Sequence, residues 1–403
     1  MAQRFLSTLF LLFALFFFAQ GQNPCGDRFK LEVFPSTHSE SNVQYGQAIG
    51  YNGNNNLLYA DIYMPANDSV GARPLVILMH GGFFLFGSKS DPYQVELCTR
   101  LAKRGYVAVS ISYRLGANLI AQDVSAEFSA AAIRAVQDAK AAIRFFRNNA
   151  ETMNQWNIDP DQIFLGGYSA GAVAAVHAAY LTQFPSTQPW LDALITTLGG
   201  MEGNSGTPGV SSSFNAVVSL SGAILDTSLM VAGGMPIASI HGTADDVVPY
   251  DSGTVSLLGM NIIDLQGSSR VHQKATQLGI DSRLWSIPGA DHYPQDISQA
   301  TRDSMISYVA YFLADYVDCQ ALGMAEPEAG FRMFPNPSTG RVHLRTSGII
   351  DRVEIRNTLG QEVAVFYPKK SEVTLDLELS EGLYFLTLHT GGRTVTERLL
   401  FRH

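Results

Sequence analysis

The sequence is poor in cysteine and in charge, and both shortages restrict what the protein can be. Three cysteines among 403 residues are too few for a disulfide scaffold, and they lack the C-x-x-C spacing of a zinc site. Charged residues make up 16%, with 27 basic against 36 acidic side chains, so the basic surface of a nucleic-acid-binding protein is missing. The apolar fraction of 46% is ordinary for a globular chain of about two to three domains.

Long hydrophobic runs are also missing, except at the N-terminus. There, Leu9 to Ala19 is a continuous apolar stretch of eleven residues, shorter than the about 20 residues that span a bilayer. Arg4 before it and Ala19-Gln20-Gly21 after it are typical of a secretory signal peptide. We therefore expect residues 1–21 to be removed and the rest to be exported without an integral membrane segment, an uncleaved signal anchor being the alternative.

Export permits disulfide bonds, and an odd number of cysteines leaves at least one thiol unpaired. Cys98 lies in a predicted amphipathic helix beside Leu101 and Ala102, so we expect it to be buried and inert. Cys25 and Cys319 flank the large N-terminal domain, and whether they pair is open at this point.

The end of the chain differs from the rest in charge and in pattern. Residues 331–403 hold ten basic and eight acidic side chains, whereas the first 330 residues hold seventeen and twenty-eight. Alternating apolar and polar positions, separated by turn residues, predict short strands and no helix. We expect a small all-β sandwich at 331–403, reached through a linker at 323–330. Since it contains no acid–base cluster, no chemistry is expected there.

Four motifs of this segment resemble the C-terminal sorting domain of the type IX secretion system. They are Phe334-Pro335-Asn336-Pro337-Ser338-Thr339-Gly340, the turn at Gly360, Glu381-Gly382-Leu383-Tyr384, and the basic ending 398–403. The resemblance implies that residues 331–403 have the secretion machinery as their partner. The protein would then pass the periplasm and outer membrane and be released or held at the cell surface. A carbohydrate-binding or spacer module is the alternative.

Residues 22–322 alternate between buried strands and helices. The clearest helix is predicted over about Ser129–Phe146, and strands near 43–49 and 57–64 are expected to form an antiparallel edge hairpin. This alternation predicts a mostly parallel sheet with helices on both faces, whose ligand sites lie at the carboxyl ends of the strands. The apolar runs that predict inner strands are 74–79, 106–113, 162–166, 216–220, 236–240 and 283–287.

The pentapeptide Gly167-Tyr168-Ser169-Ala170-Gly171 lies between the strand 162–166 and an alanine-rich helix. A G-x-S-x-G sequence in this context predicts a sharp strand-to-helix turn that presents the serine hydroxyl at a helix N-terminus. We therefore expect Ser169 to be a nucleophile, with Gly167 and Gly171 leaving room for the neighbouring chain.

A serine nucleophile needs a base, and His292 lies in the loop between the last predicted strand and a last helix at about 301–316. The base needs a carboxylate that orients it. Asp245 and Asp246 both follow the strand 236–240. Asp245 is preferred because hydrolases with D-x-x-V-P place the acid first, and Asp246 is the alternative. This chemistry requires no metal and no cofactor.

A loop with two glycines, Gly81-Gly82, follows the first buried strand. The backbone N–H groups of Gly82 and Phe83, with that of Ala170, are predicted to form an oxyanion hole. His80 is expected to brace the loop rather than to act in catalysis. The phenylalanines of the loop either line a pocket or belong to the core: Phe83, Phe84 and Phe86.

Together these segments resemble the α/β-hydrolase family of carboxylesterases and lipases over about 46–312. The resembling stretches are His80-Gly81-Gly82, Tyr113-Arg114-Leu115-Gly116, 137–144 and 167–171. The resemblance implies an ester hydrolase that works through an acyl-enzyme, with Ser169 as nucleophile, His292 as base and Asp245 as acid. Phe83 and Ala172 stand where relatives carry glycine, which leaves the small-molecule or polymer ester substrate undetermined.

Two other functions stay open. Serine peptidases of the prolyl-oligopeptidase type share the motif His241-Gly242-Thr243-Ala244-Asp245. They favour Tyr-Gly-Gly after the serine, whereas this chain has Ala170-Gly171. A non-catalytic surface protein on a hydrolase scaffold is the other. The segment 184–213, rich in Gly, Ser, Thr and Pro, is expected to be a lid over the site or a surface insertion.

Overall fold

A computed structural model describes residues 25–319, apart from 69 and 182–188, and residues 332–402, apart from 337, 359, 391 and 392. The predicted signal peptide and linker lie outside these ranges. The chain divides into two compact units, one up to residue 324 and one from residue 325 onward. None of the described helices has the length and apolar character needed to cross a membrane.

The first unit alternates strands and helices along the chain. Its elements are β1 (Thr37–Ile49), β2 (Asn55–Pro65), β3 (Arg73–Met79), α1 (Pro92–Ala102), β4 (Val107–Ile111), α2 (Val124–Thr152), β5 (Ile158–Tyr168), α3 (Ala170–Tyr180), α4 (Pro189–Thr197), β6 (Ala216–Leu220), β7 (Ala223–Ile224), β8 (Ile237–Gly242), β9 (Ser252–Leu257), β10 (Met260–Gly267), α5 (Ser268–Gln277), β11 (Ser282–Ile287) and α6 (Gln299–Ala314).

Eight of these strands form one sheet in the order β1-β2-β4-β3-β5-β6-β8-β11. From β4 to β11 every neighbouring pair is parallel, whereas β1 and β2 form an antiparallel hairpin at one edge and β2 pairs antiparallel with β4. The predicted mostly parallel sheet with an edge hairpin is confirmed.

Strand β3 explains why helices cover both faces of the sheet. All seven of its residues are buried, and successive side chains of a strand point to opposite faces. Leu75 and Ile77 therefore belong to the apolar cluster formed with α2 and α3. Val76 and Leu78 belong to the cluster formed with α1 and α6. A strand buried on both faces reads as a continuous apolar run, which is the pattern that the sequence carries.

Helix α2 is longer than the predicted range of about 129–146, because its N-cap, Asp123, lies before the stretch with apolar periodicity. The side chain of Asp123 accepts a hydrogen bond from the backbone N–H of Ala126, which fixes the start of the helix. The same device starts α6, where Ser298 accepts from the N–H of Thr301.

Strands β7, β9 and β10 form a small antiparallel sheet that the sequence did not predict. Its β9–β10 hairpin is inserted between β8 and α5. Leu258 and Gly259 both have positive φ values at its turn, 53° and 79°, as a tight two-residue hairpin turn requires. The alternation is visible in burial, since Val255 is buried between exposed Thr254 and Ser256.

Two of the three cysteines form a disulfide bond, and the third is a free thiol. Cys25 and Cys319 form a disulfide with a Cα–Cα distance of 5.6 Å, joining the segment before β1 to the segment after α6. Cys98 on α1 is free and buried, as predicted.

The second unit is all-β, as predicted. Its described strands are β12 (Arg332–Phe334), β13 (Arg341–Asn357), β14 (Glu362–Phe366), β15 (Lys370–Asp376), β16 (Gly382–Thr390) and β17 (Arg393–Phe401). Strand β13 pairs antiparallel with β12 and β15 through its first part and with β14 and β16 through its second part. The register shifts between Arg345 and Ile350, where the strand changes partners. One apolar cluster fills the interior of this unit.

The opening motif and the basic ending of this unit meet each other. Asn336 donates from its side chain to the carbonyl of Arg398 and accepts from the N–H of Leu400. Buried Ser338 bonds through its backbone to Leu400 and Arg402. The two sequence signatures are therefore parts of one local structure.

Candidate active site

Ser169 lies at the sharp turn between β5 and α3. Its φ and ψ of 54° and −122° are a strained combination for a residue with a side chain. A methyl group on Gly171 would lie 2.3 Å from the carbonyl oxygen of Met79, and one on Gly167 would lie 2.4 Å from the backbone of Gly171. Both glycines therefore let neighbouring backbones approach closely enough to hold the turn.

The loops after β8 and β11 bring two more side chains to this turn. His292 Nε2 lies 2.9 Å from Ser169 Oγ, and His292 Nδ1 lies 2.7 Å from Asp245 Oδ2. Because a carboxylate accepts hydrogen bonds, Nδ1 carries the imidazole proton and Nε2 is left to accept from the serine hydroxyl. Ser169 and His292 are 5% and 2% exposed, so this chain of hydrogen bonds is shielded from bulk water.

Asp245 is held by four hydrogen-bond donors. Its Oδ1 accepts from the backbone N–H groups of Val247 and Val248, both at 2.9 Å, and its Oδ2 accepts from His292 and from His241 Nε2 at 3.0 Å. Burial alone would raise the pKa of this carboxyl, but the two histidines and the N–H groups hold the pKa well below its usual range. Asp245 is therefore a permanent anion at neutral pH. Asp246 is exposed.

The loop after β3 presents backbone donors beside the serine. Phe83 and Ala170 line the same cavity as Ser169, and among the described residues no protein acceptor takes the N–H of Gly82, Phe83 or Ala170. Gly82 has φ +117°, and a methyl group on it would lie 2.1 Å from the carbonyl oxygen of Phe86. Free N–H groups at such a turn suit an oxyanion.

Polar contacts behind this loop brace it. The hydroxyl of Tyr113 donates to the carbonyl of His80 at 2.8 Å, and the two rings stack at 4.4 Å. Burial lowers the pKa of His80, so its ring is neutral. The next residue, Arg114, forms a buried ion pair with Asp138 on α2. These contacts give the Tyr113-Arg114 and 137–144 stretches a structural role.

Tyr168 contacts His292, and the sequence did not single it out as part of the site. Its hydroxyl donates to the carbonyl of His292 at 2.9 Å, and its ring lies 5.4 Å from the imidazole. Ser221 bonds the same carbonyl at 3.3 Å. Tyr168 occupies the second position of the G-x-S-x-G motif, a position that the motif leaves unspecified, so no sequence signal could have found it.

An apolar cavity of about 90 Å³ opens beside Ser169. Phe83 and Phe84 line it, whereas Phe86 is 56% exposed. From the segment predicted as a lid, Leu191 of α4 contributes to the wall. Residues 184–188 lie outside the described ranges, and the lid stays a prediction. Within the described ranges there is no group of three or more His, Cys, Asp or Glu side chains that could hold a metal ion.

Two family matches cover separate parts of the chain. Residues 60–231 match the BD-FAE family of α/β-hydrolase esterases, and residues 332–402 match the family described as Secretion system C-terminal sorting domain. Both resemblances drawn from the sequence are confirmed. The second match indicates type IX secretion to the cell surface or the extracellular space.

Curated relatives are similar over part of the first unit. Esterase-5B of Drosophila persimilis is 28% identical over 135 residues, which cover 32% of this chain and 22% of that protein. Fumonisin B1 esterase of Sphingopyxis macrogoltabida is 31% identical over 121 residues, which cover 29% of this chain and 22% of that protein. The matched region thus spans about a fifth of the length of these two relatives.

Among solved structures, the apo form of esterase 2 from Thermogutta terrifontis is similar. It is 21% identical, with a TM-score of 0.47 over 70% of this chain and 95% of that one.

Proposed function

We propose that this chain, which joins an esterase-type α/β-hydrolase domain to a secretion-system sorting domain, is an exported carboxylic-ester hydrolase that works through an acyl-enzyme. Ser169 is the nucleophile, His292 the general base and Asp245 the carboxylate that orients it. The N–H groups of Gly82, Phe83 and Ala170 form the oxyanion hole.

The observation that carries this proposal is the continuous hydrogen-bond path from Asp245 through His292 to Ser169, with distances of 2.7 and 2.9 Å. These are ordinary hydrogen-bond lengths for a nucleophile, a base and an orienting acid. The path ends at a strained serine beside unpaired backbone N–H groups, where the carbonyl group of an ester would find both a nucleophile and donors for its oxygen.

Each half-reaction moves one proton through His292. Ser169 Oγ forms a bond to the ester carbonyl carbon while its proton passes to Nε2, and the carbonyl oxygen becomes an anion in the oxyanion hole. The bond to the alcohol oxygen then breaks, and that oxygen takes the proton from Nε2. Water attacks the acyl-enzyme by the same route, giving the carboxylic acid and the free serine.

Asp245 supports both steps without changing its own protonation. Its charge keeps the Nδ1 proton of His292 in place and stabilises the imidazolium that forms. Because four donors already hold this carboxylate, it is aligned before any substrate arrives.

Covalent labelling tests the proposal most directly. A fluorophosphonate probe should label the wild-type full-length chain and should not label Ser169→Ala. Turnover of p-nitrophenyl acetate should fall about 10⁵- to 10⁶-fold in the same variant. Circular dichroism should remain that of the wild type. Retained turnover in this variant, or an unlabelled wild type, would refute the proposal.

Substrate comparison separates the alternatives. An ester hydrolase should cleave p-nitrophenyl esters and leave matched p-nitroanilides nearly untouched. Preferred cleavage of the anilides would favour a peptidase, and binding without labelling or turnover would favour a non-catalytic surface protein.

A further inference from the structure

The β9–β10 hairpin forms the wall of the cavity that begins at Ser169. Val255 of β9 and Ile262, Ile263 and Leu265 of β10 line the same cavity as the serine. Val255, Ile262 and Leu265 are each less than a tenth exposed, and Val255 stands opposite Ile263 across the hairpin. Strand β10 packs against α2, which supplies the facing wall. The hairpin thus presents its apolar side to a space that starts at the reacting serine.

The rest of the described wall is almost without polar groups. Besides Ser169, its polar side chains are Ser129 and His177. The hydroxyl of Ser129 already donates to the carbonyl of Ser125 at 2.9 Å. His177 Nδ1 lies 2.7 Å from the carbonyl of Val173, and Nε2 accepts from the N–H of Leu225 at 3.0 Å.

Both nitrogens of His177 are therefore occupied, and burial lowers its pKa, which keeps the ring neutral. Apart from Ser169, no described side chain of the wall has a free hydrogen-bond donor. A hydroxyl substituent placed there would give up its hydrogen bonds to water, and among the described side chains only the Ser129 hydroxyl oxygen could accept one in return.

The size of the cavity sets a limit on what fits. Its volume of about 90 Å³ corresponds to about six to nine water-sized groups. Part of this space is taken by the carbonyl group at the serine.

We infer that this cavity is the binding site of an unsubstituted aliphatic acyl chain of about four to eight carbons, and that the β9–β10 hairpin determines the chain length. The inference rests on the proposed function, because it assigns the acyl group of the ester that Ser169 attacks. It names the substrate class as medium-chain aliphatic esters, and it makes Val255 and Leu265 specificity-determining residues.

The first experiment compares p-nitrophenyl esters from acetyl to hexadecanoyl on the full-length protein. Each buried methylene should raise kcat/KM about fourfold, so hexanoate should exceed acetate by about 10²-fold, and values should fall again at dodecanoate. A matched substrate, p-nitrophenyl 6-hydroxyhexanoate, places a hydroxyl deep in the cavity. It should react about 5- to 150-fold more slowly than hexanoate.

The second experiment makes the cavity smaller in one variant and larger in another. Val255→Phe fills the cavity and should lower kcat/KM for octanoate at least about tenfold relative to acetate. Leu265→Ala enlarges the cavity and should move the optimum to a longer chain. Ser256→Phe adds the same ring to the exposed side of the same strand and should leave the chain-length profile unchanged.

The readouts distinguish the inference from the proposed function. Fluorophosphonate labelling and acetate turnover in each variant report an intact reacting centre, and their absence in the wild type would sink the proposed function itself. With labelling retained, the inference fails if the wild-type profile is flat, if both cavity variants keep the wild-type profile, or if a hydroxycinnamoyl ester reacts faster than hexanoate. The chain-length series on the wild-type protein tests the inference by itself. Poor folding of Val255→Phe would therefore not leave the inference untested.

Discussion

His241 donates its Nε2 proton to Oδ2 of Asp245 across 3.0 Å. The tautomer follows from geometry, because the same nitrogen also faces the carbonyl of Val248 at 3.1 Å and both neighbours are acceptors. Asp245 Oδ2 thereby serves two histidines, His241 from the end of β8 and His292 from the loop after β11. Of the two aspartates, Asp245 makes both of these contacts, which favours Asp245 as the orienting carboxylate.

Replacing the two aspartates in turn tests that choice. Asp245→Asn keeps the shape but removes the charge, and its amide cannot accept from both histidines and both N–H groups. We expect kcat to fall about 10³- to 10⁴-fold. Asp246→Asn is the matched control and should stay within about threefold, since a surface substitution rarely matters. Equal losses in both variants would contradict the assignment.

Substitution of Gly171 tests the close packing at the sharp turn between β5 and α3. Gly171→Ala places a methyl group 2.3 Å from the carbonyl oxygen of Met79, and we expect the free energy of unfolding to fall by at least about 2 kcal/mol. Gly71→Ala is the control, because a methyl group there meets nothing within 4 Å and the substitution should be neutral or stabilising by up to about 1 kcal/mol. Denaturant titration measures both, and an unchanged midpoint for Gly171→Ala would count against the close approach.

The Cys25–Cys319 disulfide should stabilise the first unit. It closes a loop of 294 residues, which restricts the unfolded chain, and its removal should cost about 2–5 kcal/mol. The double variant Cys25→Ser/Cys319→Ser should therefore melt several degrees below the wild type. Dithiothreitol should lower the Tm of the wild type and leave that of the double variant unchanged; a shift in the double variant would mean that another effect is being measured.

The thiol of Cys98 should be unreactive over a wide pH range. Burial raises the pKa of this thiol well above its ordinary value, so the reactive thiolate is scarce in the native protein even as the pH rises to about 9.5, above the ordinary cysteine pKa. Ellman's reagent should find no thiol in the native oxidised protein and one per chain after unfolding. Rapid reaction of the native protein at pH 8 would overturn this.

Breaking the buried ion pair between Arg114 and Asp138 should lower the free energy of unfolding strongly. Arg114 and Asp138 are 7% and 0% exposed at their side chains, so Asp138→Asn leaves a buried guanidinium uncompensated and should destabilise by about 3–5 kcal/mol. The control is Asp251→Asn, whose partner Arg270 is half exposed, and it should change stability by less than about 1 kcal/mol. Similar effects in chemical denaturation would contradict the assigned burial.

Local sequence signals predicted the mostly parallel sheet and the all-β second unit well. The inner strands are continuous apolar runs, because a strand buried on both faces has no polar side. The β9–β10 hairpin was missed for the opposite reason. Only one of its faces is buried, and Thr254, Ser256, Asn261 and Asp264 made the stretch resemble a loop.

The contacts that hold the site were beyond sequence reasoning. Tyr168 contacts His292, which is 124 residues away, and His241 contacts Asp245, which is 4 residues away. No periodicity in the sequence encodes these pairs. The residues predicted as nucleophile, base and acid do come together in space, and their catalytic roles stay predictions that Ser169→Ala and Asp245→Asn will test.

The sequence by itself determined the alternation of the inner strands of the large sheet with helices, the sharp turn at Ser169 and the loops from which partners for Ser169 could come, because hydrophobic periodicity and turn residues act locally. Only the tertiary structure decided that Cys25 pairs with Cys319, that Asp245 rather than Asp246 faces His292, and that a hairpin far along the chain walls the cavity beside Ser169. Each of these is a contact between chain segments that are remote in sequence, and such a contact forms only once the packed fold brings the two segments together.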